Sequence, residues 1–251
     1  VLLDLNPPEP PPAGPLEAMM RRRIRGYLGR KFGFYGERSY AQSGEDIILR
    51  HLFDILGIAR PSYLDIGAHQ PVSLSNTYLF YRQGSRGLCI EPDPDLLARF
   101  RRKRPQDTLM GVGVAAQPGE LEFFVMSASS LNTFSMEDAC RSEALGHRIV
   151  RRLKIPVITV NEALERCGKP PDFVSIDIEG LDEAVVATFD FHRYRPVAFC
   201  IETLTYAENG EGTKKRPIFD IFSKYGFFPY ADTHVNTIFV DERRWRKTEQ
   251  R

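Results

Sequence analysis

Two short apolar runs that end beside an acid constrain this chain more than any other feature. Tyr63-Leu64-Asp65-Ile66-Gly67-Ala68-His69 is the first, and Gly87-Leu88-Cys89-Ile90-Glu91-Pro92 the second. Apolar runs this short, bounded by turn residues, read as buried strands. Helical patterns follow both, over 73–83 and over 94–103, the latter on Leu96, Leu97 and Phe100. Strands alternating with helices predict an α/β fold with a mostly parallel central sheet. In such a sheet ligands bind outside the carboxyl ends of the strands. Gly67 lets the backbone approach a ligand there, and Glu91 can take both hydroxyls of a ribose. That is the layout of a nucleoside-cofactor site, which makes an enzyme the leading reading.

The alternation continues along the chain. Strands are predicted near 109–115, 121–125, 155–160, 172–177 and 197–202, with helices over 181–189 and 217–225. Pro156 lacks an N–H and places its strand at a sheet edge. A hairpin of Phe227–Tyr230 and Thr237–Asp241 supplies an antiparallel C-terminal strand. Ahead of the first strand, Ile47, Ile48, Leu52, Phe53 and Leu56 predict a helix with Ser43 as its cap. Residues 7–15 are proline-rich and read as an extended linker, and Leu16 to Lys31 reads as a basic helix. The polar stretch from Ser127 to Gly146 is expected to form a mobile loop or short helices over the site.

With 251 residues and a net charge of +1, the chain suits one large domain and has no overall field for nucleic acid. Its basic residues cluster: Arg21, Arg22, Arg23 and Arg25; Arg99, Arg101, Arg102, Lys103 and Arg104; Arg148, Arg151, Arg152 and Lys154; Arg243, Arg244, Arg246 and Lys247. These read as solvated faces, or else as attraction to an anionic substrate, lipid surface or polysaccharide. Cys89, Cys140, Cys167 and Cys200 have no CxxC spacing, which argues against zinc and thioredoxin chemistry. Cys89 and Cys200 lie in apolar runs, as suits a reducing cytoplasm. Neither a signal peptide nor a membrane-spanning apolar stretch is visible, so a cytoplasmic location is expected.

Asp65, Asp177 and Glu202 each sit at the end of an apolar run. In a parallel sheet they would converge with Glu91 on one crevice; alternatively, each caps the helix that follows. The first turn reads Gly67-Ala68-His69-Gln70-Pro71 and lacks the GxGxxG pattern. A pyrophosphate has little room there, so a cofactor without phosphates, such as S-adenosylmethionine, fits better.

Several segments, in order, resemble the FkbM-type methyltransferase family. They are Ser39-Tyr40-Ala41-Gln42-Ser43-Gly44-Glu45-Asp46, Leu64-Asp65-Ile66-Gly67-Ala68 with Asn76-Thr77, Glu91-Pro92, Asp177-Ile178-Glu179-Gly180, and His234-Val235-Asn236-Thr237-Ile238-Phe239. The resemblance spans about residues 39–241. It implies a single Rossmann-like methyltransferase domain, placed at 39–245 with residues 1–38 as an extension, and helices on both faces of the sheet. It also implies S-adenosylmethionine as cofactor and a hydroxyl of a sugar or polyketide as acceptor. By the same resemblance Asp65, Gly67, Glu91 and Pro92 hold the cofactor. Gln42, Asp46 and Asn76 line its methionine end, Gly113 and Val114 lie near the adenine, and Asp177 sits beside the sulfonium. Asn161 stands where the family often carries Asp and is given no role.

Methyl transfer to a hydroxyl needs a group that takes its proton. His234 is one candidate, because a histidine titrates near neutral pH. The other is the Asp177/Glu179 pair, whose spacing of two points both side chains one way in an extended chain. With Glu202 these acids offer oxygen ligands for Mg²⁺. His69 is read as a donor beside the site rather than a catalyst. Two other readings stay open: a nicotinamide-dependent oxidoreductase, since Glu91 suits that ribose equally, and a non-catalytic module of a polysaccharide assembly protein. The N-terminal extension would tether the protein to a larger protein or an anionic surface.

Overall fold

The computed structural model describes residues 36–178, 180–205 and 212–249. The predicted linker, the basic helix 16–31 and Glu179 lie outside the described residues. In chain order the strands are β1 (Tyr63–Ile66), β2 (Gly87–Ile90), β3 (Thr108–Met110), β4 (Gly113–Val114), β5 (Gly119–Met126), β6 (Ile149–Ile158), β7 (Phe173–Ile176), β8 (Ala198–Glu202), β9 (Phe227–Asp232) and β10 (Asn236–Asp241). The helices are α1 (Glu45–Ile55), α2 (Tyr78–Arg82), α3 (Pro94–Lys103), α4 (Met136–Ala144), α5 (Val160–Arg166), α6 (Asp182–Ala187), α7 (Arg216–Lys224) and α8 (Glu242–Glu249).

Among the described residues, seven strands form the main sheet in the order β3-β2-β1-β7-β8-β10-β9. The first five are parallel, and β10 runs antiparallel to both its neighbours. Strand alternation divides the core into two layers. Leu64, Ile66, Leu88, Ile90, Val174, Ile176, Phe199 and Ile201 face α5, α6 and α7, through Leu164, Val185 and Phe222. Tyr63, Cys89, Phe173, Ala198 and Cys200 face the other way, onto Leu49, Leu52 and Phe53 of α1, Phe80 of α2 and Phe100 of α3. Both faces of the sheet are therefore covered, as parallel sheets require.

Several boundaries differ from expectation. The strand near 109–115 divides: β3 closes the main sheet, while β4 joins a separate three-stranded sheet of order β4-β6-β5. There β6 is the middle strand, not an edge. Pro156 is tolerated because β4 pairs only with Val157 and Ile158, so at Pro156 the sole paired neighbour is β5. Gly44, not Ser43, caps α1; the Ser43 N–H is taken by Glu45 Oε2 at 2.8 Å. The helix expected from residue 73 starts at Tyr78, because Asn76 and Thr77 turn their side chains inward to Ser175 and Asp65.

Arg104 overturns its assignment to a solvated basic face, since it is wholly buried. Its Nε donates to Asp107 Oδ2 at 2.7 Å, Nη2 to the Tyr63 hydroxyl at 3.0 Å and Nη1 to Ser75 Oγ at 3.3 Å. Asp107 also accepts from Tyr63 Oη and the Gly87 N–H, which ties together the starts of β1, β2 and β3. Removing one partner of a buried pair leaves an uncompensated charge. Arg104→Ala is expected to lower stability by about 3–5 kcal/mol, read as a fall in the urea midpoint at unchanged slope.

Candidate functional site

Strand register builds the site. Ile66 lies opposite Ile90 of β2 and Ile176 of β7, and Ile176 lies opposite Ile201 of β8. One step further along each strand stand Glu91, Gly67, Asp177 and Glu202, in one row at the carboxyl edge. All four line a single cavity of about 320 Å³. Gly67 is the one member of the row without a side chain. Its φ is 75°, and a Cβ there would overlap the carbonyl oxygen of Asp177.

Gln42, Pro92, Gly113 and Val114 line the same cavity. Asp46, Asp65 and Asn76 do not; they secure the loops around it. Asp46 accepts from Ser39 Oγ and from the N–H groups of Tyr40 and Ile47. Asp65 accepts from Thr77 Oγ1 at 2.5 Å, and Asn76 donates to Ser175 Oγ at 3.1 Å. His234 is exposed and outside the lining, although its neighbour Val235 belongs to it. The segments around Asp46 and His234 nevertheless meet: buried Glu45 accepts from Thr233 Oγ1 at 2.6 Å and Asn236 Nδ2 at 3.0 Å.

Glu91 is buried, and each carboxylate oxygen accepts one backbone N–H. Oε2 takes His69 and Oε1 takes Asp93, both at 2.8 Å. Burial pushes this carboxyl up to about 8, against the pull of those two donors. Each oxygen keeps a lone pair for a ligand hydroxyl.

Residues 129–134 form a wall of the cavity that periodicity could not show. Asn132 anchors it by donating to Asp93 Oδ2 at 3.0 Å and accepting the Met126 N–H at 2.8 Å. Ser129 Oγ lies 3.1 Å from His69 Nε2. Burial lowers the His69 pKa, so its ring is neutral at physiological pH. Phe134 packs on Gly113, where a Cβ would strike its ring. Among the described residues, the non-glycine residues in the left-handed region are His69, Leu74 and His234. Two of them line the cavity and the third adjoins it, which is where strained backbone tends to gather.

At the far end of the row is a charge cluster whose cation the sequence pattern had not marked. Lys215 Nζ reaches Asp182 Oδ2 at 3.1 Å and Glu202 Oε2 at 3.2 Å. Burial, then Glu202 and Asp182, hold the Asp177 carboxyl well above the usual carboxylate range. Burial and Asp182 raise Glu202 likewise, with Lys215 opposing. The Mg²⁺ expectation finds no support. Among the described residues no group of three His, Cys, Asp or Glu side chains is arranged to hold a metal ion, and Glu202 has Lys215 as its cation.

The residues present fit S-adenosylmethionine. Glu91 offers hydroxyl acceptors, the backbone at Gly67 is open to the cavity, and Asp177 is part of its lining. A family model, Methyltransferase FkbM domain, matches residues 65–229. Comparison with curated proteins gives no match. Among solved structures, the chain is similar to a TehB-like SAM-dependent methyltransferase from Corynebacterium glutamicum ATCC 13032 Kitasato, at 14% identity and TM-score 0.41, covering 91% of this chain and 100% of that one. A Burkholderia thailandensis 1,6-didemethyltoxoflavin-N1-methyltransferase with bound 1,6-didemethyltoxoflavin and S-adenosylhomocysteine gives 12% and 0.40, covering 93% and 92%. An O-methyltransferase from Bacillus cereus in complex with SAH gives 11% and 0.42, covering 87% and 95%.

The Glu91 shift sets a pH dependence. Below pH 4.5, the ordinary value for a glutamate, the carboxyl is protonated in both folded and unfolded chain. Between 4.5 and about 8 the unfolded chain ionises and the folded one does not. The group's contribution to stability therefore falls as pH rises across that window. Urea titrations of the ligand-free protein are expected to show wild type losing stability relative to Glu91→Gln as pH is raised through it.

Proposed function

From the premise that the chain belongs to the FkbM methyltransferase family, we propose that it is an S-adenosylmethionine-dependent O-methyltransferase acting on a hydroxyl of a sugar, glycan or glycolipid-type acceptor. The observation that carries this reading is the row Glu91–Gly67–Asp177–Glu202 facing one cavity. S-adenosylmethionine supplies an electrophilic methyl group on a sulfonium, so the protein contributes alignment and electrostatics.

In this reading Glu91 accepts the two ribose hydroxyls, one on each oxygen. Val112, Gly113, Val114 and Phe134 flank the adenine, with Pro92 and Leu96 on the same side. Asp177 lies two strands from Glu91 in the row and offers its carboxyl to the cationic end of the cofactor. Gln42 serves as a further polar wall there. Asp46, Asp65 and Asn76 act by holding the loops rather than by touching the cofactor. The acid-rich, polar far end of the cavity suits a hydroxyl-bearing acceptor. We place the methyltransferase domain at 39–245, because Glu45 binds the 233–236 turn. The extension 1–38 is assigned as a tether to a larger protein or an anionic surface. A cytoplasmic site of action belongs to the same reading; among the described residues no helix is long and apolar enough to cross a membrane.

Calorimetric titration with S-adenosylhomocysteine tests the proposal, followed by a screen of sugar acceptors. Wild type should bind at micromolar Kd. Glu91→Ala should weaken binding by about 1–3 kcal/mol, the cost typical of leaving buried hydrogen-bonding groups without a partner. Unchanged affinity in that variant would place the ribose elsewhere.

A further inference from the structure

Glu202 stands at the opposite end of the row from Glu91, three strand spacings or about 14 Å away along the sheet. The intervening positions are Gly67 and Asp177. If Glu91 marks the ribose end, Glu202 marks the acceptor side. Its Oε2 is held by Lys215, while Oε1 has no hydrogen bond among the described residues. Lys215 is itself fixed twice. Its backbone N–H donates to the Thr203 carbonyl at 2.7 Å, and its ammonium rests on Asp182, whose Oδ1 accepts the Ile178 N–H at 3.1 Å. The sequence candidate His234 does not line the cavity.

The charged groups that bear on Glu202 come from four elements: Asp177 after β7, Asp182 of α6, Asp138 of α4 and Lys215 before α7. Asp138 is partly exposed and paired with Arg141 at 2.9 Å, which leaves, among the described residues, three carboxyls, Glu202 included, around the Lys215 ammonium. Buried carboxyls that outnumber their cations retain protons until another positive charge arrives.

We propose that Glu202 takes the proton of the attacking hydroxyl, and that it becomes free to do so only when a sulfonium cation shares the cavity. Glu202 gives up its proton to solvent when the cationic cofactor binds. In the reaction the acceptor O–H bond breaks and its proton passes to Glu202 Oε1. The O–CH₃ bond forms as the S–CH₃ bond breaks, with that electron pair staying on sulfur. Sulfur thereby loses its positive charge as Glu202 loses its negative one, so the net charge of the cavity is preserved. Lys215 is a positioning residue that holds Oε2 and limits how tightly Glu202 keeps a proton.

The inference rests on the methyltransferase reading, and its test needs no acceptor. Binding of S-adenosylmethionine and of S-adenosylhomocysteine is measured calorimetrically at neutral pH, in phosphate and in Tris, whose ionisation heats differ. The difference in heat between buffers counts the protons released. Wild type should release more protons with S-adenosylmethionine than with the uncharged S-adenosylhomocysteine. Glu202→Gln should lose that excess while binding S-adenosylhomocysteine within about threefold of wild type. Lys215→Met should enlarge the excess, and it provides a second reading should the Gln variant fail to fold. No excess in wild type, a full excess in Glu202→Gln, or an unchanged or smaller one in Lys215→Met would each overturn the proposal. Failure of wild type to bind either compound would instead remove the methyltransferase reading and the inference with it.

Discussion

The in-register alignment of four parallel strands is the constraint on which everything else depends. It brings Ile90, Ile66, Ile176 and Ile201 side by side, so that the next residue of each strand meets the others at one edge. A slip of one residue in any pair would turn its side chains to the opposite face and remove that strand's contribution from the row. The tightness of the row also explains Gly67. The chain passes so close to the Asp177 carbonyl that a side chain has no space, and the same bareness leaves backbone facing the cavity.

Buried charge is handled in three ways in this molecule, and the differences separate scaffold from site. Arg104 and Asp107 neutralise each other and complete their hydrogen bonds with Tyr63, Ser75 and Gly87; nothing there is left for a ligand. Among the described residues Glu91 has no cation but two backbone donors, which fix its orientation and leave lone pairs over. Around Asp177 and Glu202, carboxyls outnumber ammonium groups. That last arrangement is the least favourable for an empty protein and the most favourable for a cationic guest. The imbalance sits where the cavity is, as expected when stability is sacrificed at a functional site.

The loop after β5 closes one side of the cavity. Asn132 ties it to the cap of α3, and His69 ties it to the turn after β1. Both anchors adjoin Glu91, because the His69 and Asp93 N–H groups are its two donors. Glu91 and this wall of the cavity are therefore one hydrogen-bonded unit, and movement of either would be felt by the other.

What the sequence determined by itself is what short-range pattern encodes. The alternation of strands and helices, the antiparallel C-terminal strand, the two apolar faces and the acids ending apolar runs can all be read from periodicities of two and 3.6. The meeting of Gly67, Glu91 and Asp177 at one crevice follows from strand ends sharing an edge, whereas Gln42, Gly113 and Val114, which also line it, were pointed to only by the family resemblance. Tertiary structure alone decided which polar residues face the crevice and which brace it. Asp65 and Asn76 carry the same chemistry as their neighbours, yet they point into the scaffold. Arg104 looked like one more surface arginine beside Arg101 and Arg102 until packing enclosed it. Lys215 stands next to the similar Lys214, but only Lys215 meets Asp182 and Glu202. Such partnerships join residues far apart in sequence, and no local pattern records them, because a charge finds its partner only after the backbone has fixed the distance between them.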